Sequence, residues 1–269
     1  MHRILLRVGP ITIYSYGLML ALAFIIGTYL AQKRAAKEGI NTNILLDLIF
    51  YILISSIVGA RALFVALNWN YYREHLLDIL KVWEGGLVFY GGLLLAFIVT
   101  VWFLKKHKLS FWKIADIISP SLAIGIAIGR IGCFLNGCCY GKISSQWGVS
   151  FPGAQNSPAF AQQVLDGLIP PTAQCSLPVI PTQLYDSLSG IVLFLMLLIL
   201  EKHKKFEGYV FSWFLLMYSI SRFIIEGFRY YEPNFILFDW MTVSQLISVI
   251  LFLVASFLLL KKSRTPLFH

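Results

Sequence analysis

Charged residues are scarce in this sequence, and acidic residues are the scarcest among them. Only 13% of the 269 residues are charged and 58% are hydrophobic, which excludes an ordinary water-soluble domain. The 13 acidic residues face 22 Lys and Arg residues, so the formal net charge is +9. In a soluble protein this excess would suggest nucleic acid, but here the basic residues flank long apolar runs. The composition therefore indicates a membrane protein with no nucleic-acid partner.

Cysteine is also scarce, with four residues in the chain. Cys133, Cys138, Cys139 and Cys175 have no histidine at the spacing of a zinc site, so we expect neither a metal ion nor an organic cofactor. Cys138 and Cys139 are adjacent and do not form a CxxC redox pair. A disulfide that involves Cys175 stays open, as does a membrane thiol oxidoreductase, an alternative that rests on the cysteines alone.

Seven apolar runs are long enough to cross a bilayer, for which a helix needs about 20 predominantly apolar residues. They cover residues 13–32, 44–66, 87–104, 114–135, 184–200, 208–226 and 241–260. The first run follows no short basic region and has no small-residue cleavage site, so we expect it to stay as a helix. We predict an all-α polytopic membrane protein, with one integral-membrane catalytic domain over residues 1–269.

The basic residues predict the orientation, because loops rich in Lys and Arg stay in the cytoplasm. Four segments hold 13 of the 22 basic residues: 33–37, 105–113, 202–205 and 261–264. These segments alternate with the other connections, which predicts an outer N-terminus and a cytoplasmic C-terminus. The longest outer connection, residues 137–182, is rich in Pro, Ser, Gly and Gln, and we expect it to form an extracytoplasmic cap.

Three arginines lie inside the predicted spans, where a charged side chain costs about 2.5 to 3.5 kcal/mol. Arg61, Arg130 and Arg222 each fall toward the predicted outer end of their span. Several cations at one depth predict an anion site, and an arginine fork suits phosphate because it donates two parallel hydrogen bonds.

The sixth span adds a polar stripe to this pattern. Tyr218, Arg222, Glu226 and Arg229 share one helical face, so Glu226 can pair with both arginines. The alternative is structural: polar groups of this kind can merely join helices together in a membrane.

Six motifs follow one another along nearly the whole chain. They are YSYGLMLALAF (14–24), GARALFVALNW (59–69), VWEGGLVFYGGLLL (82–95), GRIGCFLNGCCYG (129–141), PTQLYD (181–186) and SRFIIEGFR (221–229). In order and in content they resemble the prolipoprotein diacylglyceryl transferase family.

The resemblance implies a transferase of the bacterial cytoplasmic (inner) membrane, with its active site toward the extracytoplasmic leaflet. Such an enzyme moves the diacylglyceryl group of phosphatidylglycerol to the lipobox cysteine of a prolipoprotein signal peptide. A thioether forms and glycerol phosphate leaves, which is the first step of lipoprotein maturation. The expected partners are therefore phosphatidylglycerol, the prolipoprotein and the surrounding bilayer.

The resemblance also assigns the candidate site residues. It makes Arg130 and Arg222 the essential arginines, and it places Tyr90 where many members have a histidine proposed as a general base. Cys133 stands where many members have an asparagine. The candidate substrate-binding residues are Tyr16, Arg61, Asn136, Gln183, Tyr185, Tyr218, Glu226 and Arg229.

A transporter or flippase of an anionic lipid or small anion is the alternative from a different class. Transporters commonly contain internal repeats and helices broken near the bilayer midplane. We find no convincing repeat, and the polar residues gather toward one face. The sequence therefore favours the enzyme.

Overall fold

The computed structural model describes residues 3–8, 11–154, 156–230, 236–237 and 241–262. Seven helices in this part of the chain are long and apolar enough to cross a membrane, which confirms the predicted fold class. They are α1 (Ser15–Lys37), α2 (Thr42–Leu67), α4 (Phe89–Lys106), α5 (Phe111–Asn136), α7 (Thr182–Glu201), α8 (Tyr209–Glu226) and α9 (Val243–Lys262). The orientation of the termini stays a prediction.

The remaining elements are short. Two helices, α3 (Trp69–Tyr72) and α6 (Pro158–Leu165), lie in connections, as do the 3-10 helices Leu76–Leu80 and Val82–Glu84. The strands β1 (Ile4–Val8) and β2 (Ile11–Tyr14) form one antiparallel pair, and β3 (Ile236–Leu237) and β4 (Met241–Thr242) form another. The seventh span was predicted from residue 241, but the first two residues of that run are strand.

The chain divides into two compact units, and the prediction of a single catalytic domain is left untested by this division. The first unit contains residues 1–31 and 115–269, and the second contains residues 32–114. In the second unit, α2 and α4 pack at their glycines. A Cβ at Gly92 would lie 2.6 Å from the Ser56 carbonyl oxygen, and a Cβ at Gly59 would collide with the Gly91 carbonyl. The glycines beside Tyr90 therefore serve helix packing.

In the first unit, α5 and α7 approach each other closely through small residues. Ser187 donates a hydrogen bond of 2.9 Å to the Ala127 carbonyl. A Cβ at Gly190 would lie 3.0 Å from the Ala123 carbonyl oxygen. Leu193 and Leu197 of α7 are buried in a core shared with α8. This packing brings the ends of α5, α7 and α8 that carry polar residues near one another.

The start of α8 is held by a carboxylate of α5. Asp116 accepts hydrogen bonds from the backbone N–H groups of Gly208, at 2.8 Å, and Phe211, at 2.9 Å. Lys204 forms an ion pair with the same carboxylate at 3.4 Å. An acidic side chain at a helix N-terminus satisfies N–H groups that have no partner within the helix. Asp116 therefore fixes α8 against α5 at the end of α8 opposite to Arg222.

Candidate anion-binding site

Two arginines on different helices meet at one carboxylate. Arg130 Nε of α5 lies 3.2 Å from Asp186 Oδ2 of α7. Arg222 Nη1 of α8 lies 3.7 Å from the same oxygen. All three side chains are mostly buried, so these charges act through a medium that screens them less than water does. The structure thus brings together the two arginines that the sequence singled out.

The polar stripe on α8 completes the cluster. Arg222 Nη2 lies 2.8 Å from Glu226 Oε2, and Arg229 Nη1 lies 3.9 Å from the same oxygen. Glu226 is fully buried as a side chain, and its Oε1 accepts a hydrogen bond of 3.1 Å from the hydroxyl of Thr242. Tyr218, the fourth member of the predicted stripe, stacks on Phe214 at a ring-centroid distance of 5.8 Å.

The cluster has an excess of positive charge. Arg130, Arg222 and Arg229 face Asp186 and Glu226, which leaves a formal charge of +1. Within the described residues, the buried Arg222 Nη1 has no hydrogen-bond acceptor, because its 3.7 Å approach to Asp186 is too long for a hydrogen bond. A buried donor without an acceptor is costly. An anion in contact with Nη1 would remove that cost.

Asp186 is a member of this cluster that the selection of candidates from the sequence missed. It is the last residue of the PTQLYD motif and an acidic residue within a predicted span, which is by itself a signal of function in a membrane helix. The buried cations and the α8 stripe do not point to the carboxylate that joins Arg130 to Arg222, and the resemblance was not used to assign this residue a role.

Gln183 and Thr182 hold the segment that follows α5. The Gln183 amide donates to the Cys138 carbonyl at 2.8 Å, and the Thr182 hydroxyl donates to the Cys139 carbonyl at 2.9 Å. Gln183 is fully buried, and its Oε1 has no hydrogen-bond partner within the described part of the chain. This oxygen can accept a hydrogen bond from a substrate, and the role of Gln183 in substrate binding stays a prediction.

The end of α5 is a Schellman motif, and this motif brings two cysteines together. The Cys138 N–H donates to the Cys133 carbonyl at 3.1 Å, and the Gly137 N–H donates to the Phe134 carbonyl at 3.2 Å. Gly137 has a φ of +75°, the left-handed conformation that this motif requires. The first and last residues of such a motif commonly contact each other. Cys133 and Cys138 occupy those two positions.

Cys139 joins them through an uncommon backbone conformation. Its φ is +61°, which costs a residue with a side chain on the order of 1 to 3 kcal/mol. The sulfur atoms of Cys133, Cys138 and Cys139 all lie within 4.8 Å of one another, and all four cysteines of the chain are free thiols. Hydrogen bonds from the other two thiols lower the pKa of Cys139, and the charges of Arg229 and Arg130 act in the same direction.

The other candidate site residues of the first unit are Asn136, Tyr16 and Tyr185. Asn136 is the last residue of α5, and Tyr16 packs near Gly132, where an added Cβ would lie 3.4 Å from the tyrosine ring. Tyr185 lines an apolar groove of about 600 Å³ between α7 and α8. The other residues of this groove are Leu188, Ser189, Val192, Leu193, Met196, Met217, Ile220, Ser221, Ile224, Ile225 and Phe228.

The segment that follows α5 also contacts the end of α8. Gly141 and Arg229 form an isolated antiparallel bridge, and the Lys142 N–H donates to the Phe228 carbonyl at 2.9 Å. Tyr140 stacks on Tyr230 with ring centroids 5.8 Å apart. The predicted cap segment, residues 137–182, is thus attached to α8 beside the arginine cluster, whereas its extracytoplasmic location stays a prediction.

Arg61 and Tyr90 belong to the second unit. The buried Arg61 guanidinium donates to the backbone carbonyls of Ile79, Gly85, Gly86 and Asp78 at 2.9, 2.8, 3.1 and 2.5 Å. These four bonds hold the segment that leads into α4, and the predicted role of Arg61 in substrate binding stays untested. Tyr90 is 58% exposed in the first turn of α4, with its ring against Phe89.

Comparison with known proteins gives a consistent result. The model of the family described as prolipoprotein diacylglyceryl transferase matches residues 3–261. A protein of Geobacillus kaustophilus is 36% identical over 257 residues, which are 95% of this chain and 90% of its own length. A protein of Bacillus velezensis is 33% identical over 94% of this chain and 89% of its own length. One from Finegoldia magna is 34% identical, with coverage of 97% and 96%. All three are named phosphatidylglycerol–prolipoprotein diacylglyceryl transferase.

Proposed function

The chain belongs to the prolipoprotein diacylglyceryl transferase family, and we propose that it transfers the diacylglyceryl group of phosphatidylglycerol to the lipobox cysteine of a prolipoprotein. The reaction forms a thioether and releases glycerol phosphate, and it takes place at the outer leaflet of the bacterial cytoplasmic membrane. The relatives are named as transferases, so the comparisons support this activity and not the transport alternative.

The observation that carries the proposal is the pair of arginines at Asp186. Phosphatidylglycerol is a phosphodiester with one negative charge, which matches the formal excess of +1 in the cluster. Arg222 Nη1 can donate to a phosphate oxygen without losing a hydrogen bond, since it has no acceptor among the described residues. Glu226 holds the other nitrogen of that guanidinium at 2.8 Å and so orients it.

The transfer creates charge where these arginines lie. The acceptor sulfur, as a thiolate, attacks the glycerol carbon that bears the phosphate ester. A C–S bond forms, the C–O bond breaks, and its electron pair stays on the phosphate oxygen, while the thiol proton goes to solvent. The leaving phosphate monoester carries more negative charge than the diester. Arg130 and Arg222 stabilise this charge as it develops, and electrostatic stabilisation of this kind often contributes more to catalysis than any other effect.

A thiol must lose its proton before it can attack, and a positive environment favours the thiolate. The cluster supplies such an environment without a dedicated base. Tyr90 then acts first in orienting the substrate through its hydroxyl group and second as a proton relay. Tyr16, Asn136, Gln183 and Tyr185 contact the polar parts of the substrates.

The groove between α7 and α8 suits the acyl chains of the donor lipid. Its volume of about 600 Å³ lies within the range of ligand sites, and its lining is almost entirely apolar. Tyr185 and Phe228 line it near the ends of α7 and α8 that carry Asp186 and Glu226. A lipid in this groove would therefore place its headgroup toward the arginines.

The test is lipid transfer by the purified protein. Incubation with phosphatidylglycerol and a lipobox peptide should increase the peptide mass by one diacylglyceryl group. Arg130→Ala and Arg222→Ala should each abolish the product while the protein still inserts and purifies normally. Arg73→Ala is a matched control, because Arg73 is exposed and pairs only loosely with Glu74, at 3.6 Å. Transfer by Arg222→Ala at the rate of the control would contradict the role of the cluster.

A further inference from the structure

Three cysteine sulfurs converge beside the arginine cluster, although their spacing in sequence matches no zinc motif. Cys133 and Cys138 are brought together by the Schellman motif at the end of α5, and Cys139 reaches them from a left-handed backbone conformation. Hydrogen bonds from Thr182 and Gln183 of α7 hold the carbonyl groups of Cys139 and Cys138. The convergence is therefore held by two helices and does not depend on the cysteines alone.

The spacing of the sulfurs fits a metal ion. All three lie within 4.8 Å of one another. With zinc–sulfur bonds of about 2.3 Å, three thiolates around one zinc ion lie about 4 Å apart, so the sulfurs need to move by less than about 1 Å. A single disulfide, in contrast, would use two of the three sulfurs and would leave the third as a thiol.

The neighbouring side chains and the type of ligand also fit a metal ion. Arg229 and Arg130 lie close enough to Cys139 to interact with it electrostatically. Soft thiolate ligands select zinc and cuprous ions over magnesium or calcium.

We propose that Cys133, Cys138 and Cys139 bind one zinc ion through their sulfurs and that the acceptor thiol takes the fourth coordination position. The second part rests on the proposed function. Catalytic zinc sites keep three protein ligands and leave the fourth position to water or substrate. The acceptor thiol displaces water, its sulfur binds the zinc, and its proton goes to solvent, because a coordinated thiol is deprotonated.

This arrangement supplies an activated sulfur without a histidine base. The described part of the first unit contains one histidine, His203. It lies just after the C-terminal end of α7, whereas Gln183 lies at the N-terminal end of the same helix. The zinc-bound thiolate would then attack the glycerol carbon as described above. The zinc neither gains nor loses electrons in this step, so no oxidant or reductant is needed.

The metal site is tested with zinc alone, in the absence of lipid and peptide. The full chain, reduced with a phosphine and loaded with zinc, should retain about one zinc per chain after desalting, measured by mass spectrometry of the metal. Cys133→Ser, Cys138→Ser and Cys139→Ser should each weaken zinc binding by about tenfold or more. Cys175→Ser is the matched control, because Cys175 is an exposed thiol outside the cluster, and it should retain zinc as the parent does.

A second measurement, the melting temperature with and without zinc, distinguishes loss of the zinc site from misfolding of a variant. Zinc should raise the melting temperature of the parent and of Cys175→Ser, because a ligand that binds the native state stabilises it. Variants of the cluster that elute as monodisperse protein but show no such rise support the site. A parent that retains no zinc, or cluster variants that retain as much as Cys175→Ser, would overturn it.

The fourth position is tested by X-ray absorption at the zinc edge. The loaded protein should show three sulfurs at about 2.3 Å, and four after addition of a lipobox peptide. The same peptide with serine in place of cysteine should leave the count at three. A count of three with both peptides would overturn coordination of the acceptor. Zinc-loaded protein that binds the thiol peptide but transfers no lipid would instead refute the proposed function and leave the zinc site standing.

Discussion

Replacement of Asp186 by asparagine should reveal how strongly the two arginines repel each other. Arg130 Nε and Arg222 Nη1 contact the same carboxylate oxygen at 3.2 and 3.7 Å, so they are at most about 6.9 Å apart, the sum of these distances. Two unit charges at that separation repel by about 2.4 kcal/mol at an effective dielectric constant of 20. Loss of one partner from a buried ion pair costs about 3 to 5 kcal/mol. We therefore expect Asp186→Asn to lower the free energy of unfolding by about 2 to 4 kcal/mol.

The assay is thermal unfolding in detergent, followed by intrinsic tryptophan fluorescence, with and without added lipid. Phosphatidylglycerol should stabilise Asp186→Asn more than it stabilises the parent, because its phosphate replaces the missing negative charge between the arginines. Diacylglycerol has the same acyl chains but no phosphate, so it should not show this difference. The control is Glu74→Gln, since exposed pairs such as Glu74–Arg73 contribute only about 0 to 1 kcal/mol.

Two results would refute the reasoning. If Asp186→Asn unfolds at the same temperature as Glu74→Gln, the carboxylate does not offset the arginine charges. If both lipids stabilise the variant equally, the cluster does not bind the phosphate. In the transfer assay we expect a loss of about tenfold or more, which corresponds to about 1.4 kcal/mol of transition-state stabilisation.

Three further predictions concern the second unit and its helix packing. Tyr90→Phe should transfer lipid at a reduced rate, and a near-normal rate by peptide mass spectrometry would eliminate proton transfer by the hydroxyl. Gly59→Ala should lower the unfolding free energy by about 1 to 3 kcal/mol, because its Cβ collides with the Gly91 carbonyl. The control is Gly17→Ala, which has nothing within 4 Å of its Cβ and should not lower the unfolding free energy in this way. Equal melting temperatures of the two variants would contradict the packing of α2 on α4. A lysine at position 61 cannot donate to all four backbone carbonyls that Arg61 holds, so Arg61→Lys should accelerate hydrogen exchange of the amides in residues 76–86. Unchanged exchange would count against this role of Arg61.

The spanning helices were predictable because their signal is local. Hydropathy over about 20 residues identifies a span without knowledge of its neighbours. The ends were less predictable: α1 continues to Lys37, five residues beyond the predicted end at residue 32, through the basic segment 33–37. Basic side chains favour the C-terminal end of a helix and do not end it.

The candidate site was predictable in part. Arg130 and Arg222 were identified because a buried cation in a membrane helix needs a reason, and Glu226 and Arg229 because they share a helical face with Arg222. The cysteine cluster had a signal that was not used: Gly137 follows the end of α5, and a glycine there predicts a Schellman motif that joins Cys133 to Cys138. Cys139 had no such signal, because a φ of +61° is uncommon for a residue with a side chain, and its carbonyl accepts a hydrogen bond from Thr182 of α7, far away in sequence.

By itself, the sequence determined the number of spanning helices, the arginines within them and the motifs that identify the family, because hydropathy, charge and residue order are properties of short segments. Only the tertiary structure decided what those residues contact. It joined Arg130 and Arg222 at Asp186, surrounded Arg61 with backbone carbonyls and brought three sulfurs within 4.8 Å of one another. Most of these contacts join segments far apart in the chain, so they depend on how the helices pack and not on any local pattern.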